Sequence, residues 1–264
     1  MKISLISFLF WILVTTGLYA QESSQKTDFN NWEASETFHY DRGKYGGDTL
    51  IETVEFDTSL KRLFERGDVS LTIPFVTQTS DSQVTSIRGS LQRVGRIRSS
   101  DTTKSGLGDI TVDGSYYLLR ETKDSLDISL NGYLKFPTAS SSKGLGTGEL
   151  DAGPGVSFGK RISPEWLAFS DFYYIFIGDP AGQNLRDQAT FDLGVSYDFA
   201  QDLSGSVAYE ASRSVVRGRD NPEALAFGIK YKLDDAMRLY GGLAFGLSNT
   251  AADLSLNIGG AIKF

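Results

Sequence analysis

The chain ends Asp253-Leu-Ser-Leu-Asn-Ile-Gly-Gly-Ala-Ile-Lys-Phe264. Along this stretch Leu254, Leu256, Ile258, Gly260, Ile262 and Phe264 alternate with Asp253, Ser255, Asn257, Gly259, Ala261 and Lys263. A period of two belongs to a β-strand, whose successive side chains leave opposite faces of the backbone. One face is apolar and the other polar.

Working back from the end, the same phase recurs. Phe191, Leu193, Val195, Tyr197 and Phe199 oppose Thr190, Asp192, Gly194, Ser196 and Asp198. Leu225, Phe227, Ile229, Tyr231 and Leu233 oppose Ala224, Ala226, Gly228, Lys230 and Lys232. Leu126, Ile128, Leu130, Leu134 and Phe136 oppose Asp127, Ser129, Asn131, Tyr133 and Lys135. The pattern predicts about twelve strands, at 32–41, 48–58, 67–76, 108–119, 124–137, 148–160, 164–177, 187–199, 202–213, 222–233, 236–247 and 252–264. Helical spacing is absent over any comparable length after residue 20, and the 28 glycines disfavour helices.

A soluble β-sandwich would alternate in the same way. Length separates the two, because strands of about a dozen residues exceed the five or six usual in globular sheets yet suit strands tilted across a membrane. Links compact at 120–123, 161–163, 200–201 and 234–235 alternate with looser ones at 43–47, 77–107, 138–147, 178–186 and 214–221. Short inner turns and long outer loops are the rule for bacterial outer-membrane barrels. Two links fit poorly: 59–66 is long for an inner turn and 248–251 short for an outer one. Trp166, Tyr116, Phe176, Tyr197, Phe199, Tyr231 and Tyr240 sit near strand ends, where interfacial aromatic girdles are expected. The fold expected is therefore all-β: a single transmembrane antiparallel up-and-down β-barrel over 32–264, monomeric, in contact with outer-membrane lipids.

Residues 1–20 have Lys2 as a minimal positive region, an apolar run from Ile3 to Val14, and a Leu18-Tyr19-Ala20 end suited to signal-peptide cleavage. The run falls short of the roughly 18 residues a spanning helix needs. Cleavage near Ala20 would leave a polar, aperiodic segment 21–31 as a flexible periplasmic N-terminus. The expected localisation is the outer membrane of a Gram-negative bacterium. No cysteine is present, which excludes disulfides, thiolate chemistry and lipid attachment at a cysteine. Net charge is −7, and loss of Lys2 with the signal makes it −8, which argues against nucleic acid as a partner. Mean hydropathy is −0.19, as alternating strands dilute apolar residues.

Ser70-Leu-Thr-Ile-Pro-Phe75, Ser105-Gly-Leu-Gly-Asp-Ile110, Lys135-Phe-Pro-Thr138, Gly144-Leu-Gly-Thr-Gly-Glu149 and Phe176-Ile-Gly-Asp-Pro180, taken in order, resemble the recurring pattern of one family of outer-membrane barrels. The family is labelled "putative MetA-pathway of phenol degradation" and its members are often described as transporters; the resemblance spans roughly 32–264. It implies passage of aromatic compounds. The physical reading of these segments is architectural: turns, strand ends and amide caps built from Gly, Pro and Asp. Phe264, with apolar residues at alternate positions before it, is similar to the C-terminal signal read by barrel-assembly machinery, departing from it at Ile258, where a polar residue is usual.

The polar phase carries Asp57, Asp113, Asp127, Asp151, Asp192, Asp198, Glu210 and Asp253, with Lys135, Lys230, Lys232, Arg238 and Lys263. Charges on an inward face need water or partners, so these are the candidate lumen-lining residues. They fit either a polar path or a salt-bridged, closed interior. His39 is the only histidine, which excludes a metal site of several imidazoles. It shares the polar phase with Ser35 and Thr37, and without a Gly-x-Ser-x-Gly elbow it reads as a lumen or rim residue rather than a catalyst. Gly106–Gly108 and Gly144–Gly148 lack the lysine-hydroxyl ending of a nucleotide loop. No cofactor is expected. Loop 77–107 carries Arg88, Arg93, Arg96, Arg98 and Lys104 against Asp81 and Asp101, which reads as a solvated external loop or as a basic surface for lipopolysaccharide or acidic solutes. The function expected is a channel for small, aromatic or hydrophobic molecules. A structural or envelope-interaction barrel with a closed lumen is the alternative, and a lipid-modifying enzyme built on His39 the weaker one.

Overall fold

The computed structural model describes residues 31–79, 82–88, 90–96 and 103–264. The expected signal segment 1–20 and all of the expected N-terminal tail but Asn31 lie outside the described residues.

The strands are β1 (Trp32–Gly43), β2 (Ile51–Phe64), β3 (Gly67–Thr79), β4 (Ser82–Ile87), β5 (Ser90–Arg96), β6 (Thr103–Leu107), β7 (Ile110–Leu119), β8 (Asp127–Phe136), β9 (Asp151–Arg161), β10 (Trp166–Ile175), β11 (Gln188–Asp198), β12 (Leu203–Ser212), β13 (Glu223–Lys232), β14 (Met237–Gly246) and β15 (Leu254–Lys263). β4 and β5 form a hairpin of their own. The others make the wall, with β6 and β7 laid end to end along β3 as one interrupted strand. That gives a wall of twelve antiparallel strands, closed where β1 pairs with β15. No α-helix is present among the described residues.

Closure answers a requirement of the solvent. Lipid offers no hydrogen bonds, so a sheet can cross a membrane only when no edge is left unpaired. At the seam the Trp32 amide donates to the Phe264 carbonyl at 3.1 Å, and the Phe264 amide returns a bond to Trp32 at 2.9 Å. Apolar side chains cover the outside: Phe56 is 48 % exposed, Leu193 53 % and Ile258 58 %. A contiguous apolar exterior of this kind marks a lipid-facing surface.

Two expectations on strand limits are corrected. β2 continues to Phe64 and β3 starts at Gly67, so the link read as 59–66 is a two-residue turn, Glu65-Arg66. Lys61 and Arg62 were its polar-looking part, yet Lys61 faces inward to Asp68 at 3.8 Å and Arg62 lies over Trp32. The strand read as 108–119 resumes earlier, at Thr103, and is interrupted at Gly108-Asp109. Pro74 sits opposite the break, where its lack of an N–H loses no ladder bond. Its carbonyl accepts the Gly108 amide at 2.8 Å, and the Asp109 carboxylate accepts the Ala139 amide at 2.9 Å.

Inward aromatics follow a second local rule. Tyr173 is directly opposite Gly155, and a Cβ at Gly155 would stand 2.4 Å from the Tyr173 ring. Phe169 covers Gly194 and Tyr240 covers Gly259 in the same way. Each ring lies down on the bare backbone of its paired glycine. Tyr240 therefore faces the lumen, bonded to Thr37 at 2.7 Å, and is no part of an outer girdle. Trp166, Tyr116, Phe176, Phe199 and Tyr231 are exposed, as girdle residues are.

The β4–β5 hairpin is folded into the barrel. Val84 packs with Tyr45 and Ile51, and Ile87, wholly buried, packs with Tyr133, Tyr173, Ile175 and Val215. A lone hairpin is marginal in water, and the wall supplies the surface it must bury. Its base is held by Gln83 donating to the Gly146 carbonyl at 3.0 Å and by the Val215 amide donating to Gln92 at 2.9 Å. Tyr45, in the β1–β2 loop, has its hydroxyl pKa pushed up by burial. Arg219 donates to the Tyr45 and Arg93 carbonyls, and burial, then the neighbouring Arg93, lowers its pKa. Beneath the hairpin Lys135 and Asp151, both fully buried, pair at 2.5 Å; Asp109 stands 3.4 Å from Lys135, which also donates to Thr85 of β4.

Three outcomes follow. Deleting Phe264 removes the two Trp32–Phe264 bonds at the end of the seam and lowers the fraction of heat-modifiable, folded barrel in outer-membrane fractions; a fraction equal to that of the intact chain would refute the role given to this end of the seam. Asp151→Ala leaves Lys135 without its nearest carboxylate and costs about 3 kcal/mol, read as a lower urea midpoint. Asp198→Ala, which breaks the exposed Asp198–Arg161 pair, costs less than about 1 kcal/mol.

Candidate functional site

The hairpin turn brings Arg88 to the middle of the lumen, with φ at 50°. A non-glycine residue held in that region is uncommon and is kept there by its surroundings. The guanidinium carbon lies 3.4 Å from the centre of the Tyr173 ring, well inside cation–π range, and 5.9 Å from that of Tyr133, at its edge. Arg88 also donates to Asp113 at 3.2 Å.

Two cavities flank this tip. One, of about 300 Å³, is lined by His39, Asp41, Thr190, Asp192, Glu210 and Ser255 among others. The second, of about 290 Å³, is lined by Glu55, Asp57, Thr72, Thr111, Asp113 and Tyr133, together with His39 and Asp41. Arg88 and Leu91 border both. The hairpin thus partitions the polar interior and leaves space on each side.

Carboxylates dominate the wall. Asp171 is paired directly with Asp192, and Asp192 with Glu210, so three acids from β10, β11 and β12 share one level. Asp171 accepts from Ser157, which accepts from Asn131 at 2.7 Å. Across the lumen His39 Nε2 is 3.3 Å from Asp57, and Ser255 donates to Asp41 at 2.5 Å. His39 and Ser255 therefore each engage a carboxylate, and no Ser–His hydrogen bond links them.

The residues expected to line the lumen separate into groups. Asp57, Asp113, Asp192 and Glu210 border the cavities. Lys135 and Asp151 form the buried anchor described above. Arg238 makes a two-pronged ion pair with Glu33, bracing β14 to β1 across β15. Asp127 stands 4.0 Å from Arg120, and Lys230, opposite Ser204, is exposed within the polar interior. Asp198 is at the inner rim with Arg161. Asp253 lies before β15 in the last outer loop and is exposed, so it borders neither cavity. The strand expected from 252 begins at Leu254, which leaves Asp253 in the loop.

Loop 77–107 is the larger correction. Its Arg88 and Arg93 are inside the barrel mouth rather than on an external basic surface, because Val84, Ile87, Leu91 and Val94 need cover. Arg98, Asp81 and Asp101 lie outside the described residues. Val84 and Ile87, like Leu91 and Val94, stand three residues apart, so 82–87 and 90–96 carry no period of two, and three arginines lie among them. Asp41, Glu55 and Asp171 were also missed, although each shares the inward phase of a strand already recognised.

Solved structures with this architecture include outer-membrane channels and porins. The COG4313 outer membrane channel from Pseudomonas putida F1 matches with a TM-score of 0.71 over 92% of this chain and 100% of that one, at 13% identity. The KdgM porin in complex with disordered oligogalacturonate follows at 0.53, covering 87% and 99% at 11% identity. The CymD monoaromatic hydrocarbon channel gives 0.50, covering 89% of each chain at 11% identity. Such identities establish a shared fold. No curated protein matches the sequence. The family described as "Putative MetA-pathway of phenol degradation" matches residues 14–264, and this outer-membrane β-barrel belongs to it.

Proposed function

We propose that the protein is a channel passing small molecules across the outer membrane, along the lumen and around the inserted hairpin. The observation that carries this reading is the pair of polar cavities, about 300 and 290 Å³, that meet at Arg88 inside a closed wall. A cavity of that size suits a single small ring compound rather than a polymer. The Tyr133 and Tyr173 faces offer a surface on which a planar solute stacks. The family description and the fold shared with a monoaromatic hydrocarbon channel support an aromatic solute. Asp57, Asp113, Asp192 and Glu210 are its lumen-lining acids in this reading, while Lys135, Arg238, Asp127 and Asp198 hold the wall. The protein acts without catalysis, as a monomer secreted by cleavage near Ala20 and assembled through its last strand.

A second reading, a barrel closed by its hairpin, is favoured by the buried Lys135–Asp151 pair, whose lysine holds Thr85 of the hairpin. Planar-bilayer recordings separate the two. The intact protein is expected to conduct, and replacing Ser82–Arg96 with a short Gly-Ser linker to raise conductance severalfold. An intact barrel that passes neither current nor solute in liposome swelling, while the linker variant conducts, would establish the closed barrel instead.

A further inference from the structure

Arg88 is a cation seated in a place made for one. Its guanidinium carbon stands 3.4 Å over the centre of the Tyr173 ring and 5.9 Å from that of Tyr133, and the group bonds to Asp113. The ring beneath it is itself positioned, because Gly155 leaves the room in which Tyr173 lies against the wall. The residue is not free to sit elsewhere without cost, yet it is not locked either: its backbone is left-handed and its side chain is 24% exposed to the lumen.

The surrounding field selects the same sign. Asp41, Glu55, Asp57, Asp192 and Glu210 border the two cavities that Arg88 joins, with His39 as the other basic side chain there. Walls of one sign concentrate counter-charged solutes and repel the opposite kind. An anion would have to pass all of these carboxylates to reach one guanidinium. An organic cation meets attraction throughout, and at the junction it meets two ring faces and a carboxylate already spaced for a planar cationic group.

We propose that Arg88 is a built-in stand-in for the solute, and that Tyr133, Tyr173 and Asp113 form a binding site for small ring compounds bearing an ammonium or guanidinium group, which displace Arg88 as they pass. This rests on the reading of the lumen as a solute path. It turns the hairpin tip from a fixed obstruction into a competitor: among small aromatic solutes in the lumen, those carrying a cationic group displace the guanidinium from the aromatic faces more readily than a neutral or acidic ring of the same size.

The folded full-length barrel in detergent is titrated calorimetrically with benzylammonium and, separately, with benzoate. Benzylammonium is expected to bind and benzoate not. Arg88→Ala, its fold checked by heat-modifiable gel mobility, empties the site and tightens benzylammonium binding by about tenfold; adding Tyr173→Ala to that variant removes the gain. Arg88→Lys, which keeps the charge and loses the planar stack, is expected to fall between the two and serves if the alanine variant does not fold. Benzoate binding as tightly as benzylammonium, or affinity unchanged or weakened in the Arg88 variants, would overturn the proposal. Bilayer recordings on the same samples keep the two readings apart. Binding without conductance would refute the channel and leave the site standing, whereas conductance without preferential benzylammonium binding would refute the site alone.

Discussion

Everything in this molecule follows from the hydrogen bond between its two ends. In water an edge strand can solvate its free N–H and C=O groups; in hydrocarbon each such group costs several kcal/mol. The pairing of β1 with β15 removes the only edges a twelve-strand sheet would have. Once the sheet is closed the two faces of every strand acquire fixed meanings, one toward lipid and one toward the lumen. The apolar exterior, the polar interior and the inward Arg238–Glu33 brace across the seam are consequences of that one geometric fact.

A closed wall of this width still poses a packing problem. Small barrels fill their interior with side chains, whereas the widest leave an aqueous channel. Here a chain segment does part of the filling. The hairpin brings apolar residues to the upper lumen, where they pack on Tyr133, Ile175 and Val215, and it brings a cation to an interior otherwise dominated by acids. Its attachment is polar at the base and aromatic at the tip. The buried Lys135–Asp151 pair exemplifies a contact whose removal is costly even if its net contribution is small, since either partner alone would be a charge without water.

The wall was legible because a period of two is imposed on every membrane strand, and so survives in sequences such as Phe191–Phe199 without help from distant residues. Strand limits were less legible where polar residues continue the inward phase, as at Lys61, since charge there looks like loop. The hairpin was misread for the same reason: Arg88 and Arg93 resemble a solvated surface, and only the tertiary surroundings of Val84 and Ile87 reveal that the segment is inside. The site itself joins residues from the hairpin, β7, β8 and β10, and no local spacing connects Arg88 with Asp113, Tyr133 and Tyr173. Phase alone predicts which residues face inward. It does not say at what height they meet, which depends on register and on the break at Gly108-Asp109.

The glycine beneath Tyr173 has a meaning on an evolutionary scale. A side chain at Gly155 would leave no room for the ring, and a smaller residue at Tyr173 would leave bare backbone under an empty space. Neither position can change alone without harm. The two form one steric unit, as do Phe169 with Gly194 and Tyr240 with Gly259. Substitution at these points of the lining is therefore coupled pair by pair across neighbouring strands, the ring and the glycine having to change together.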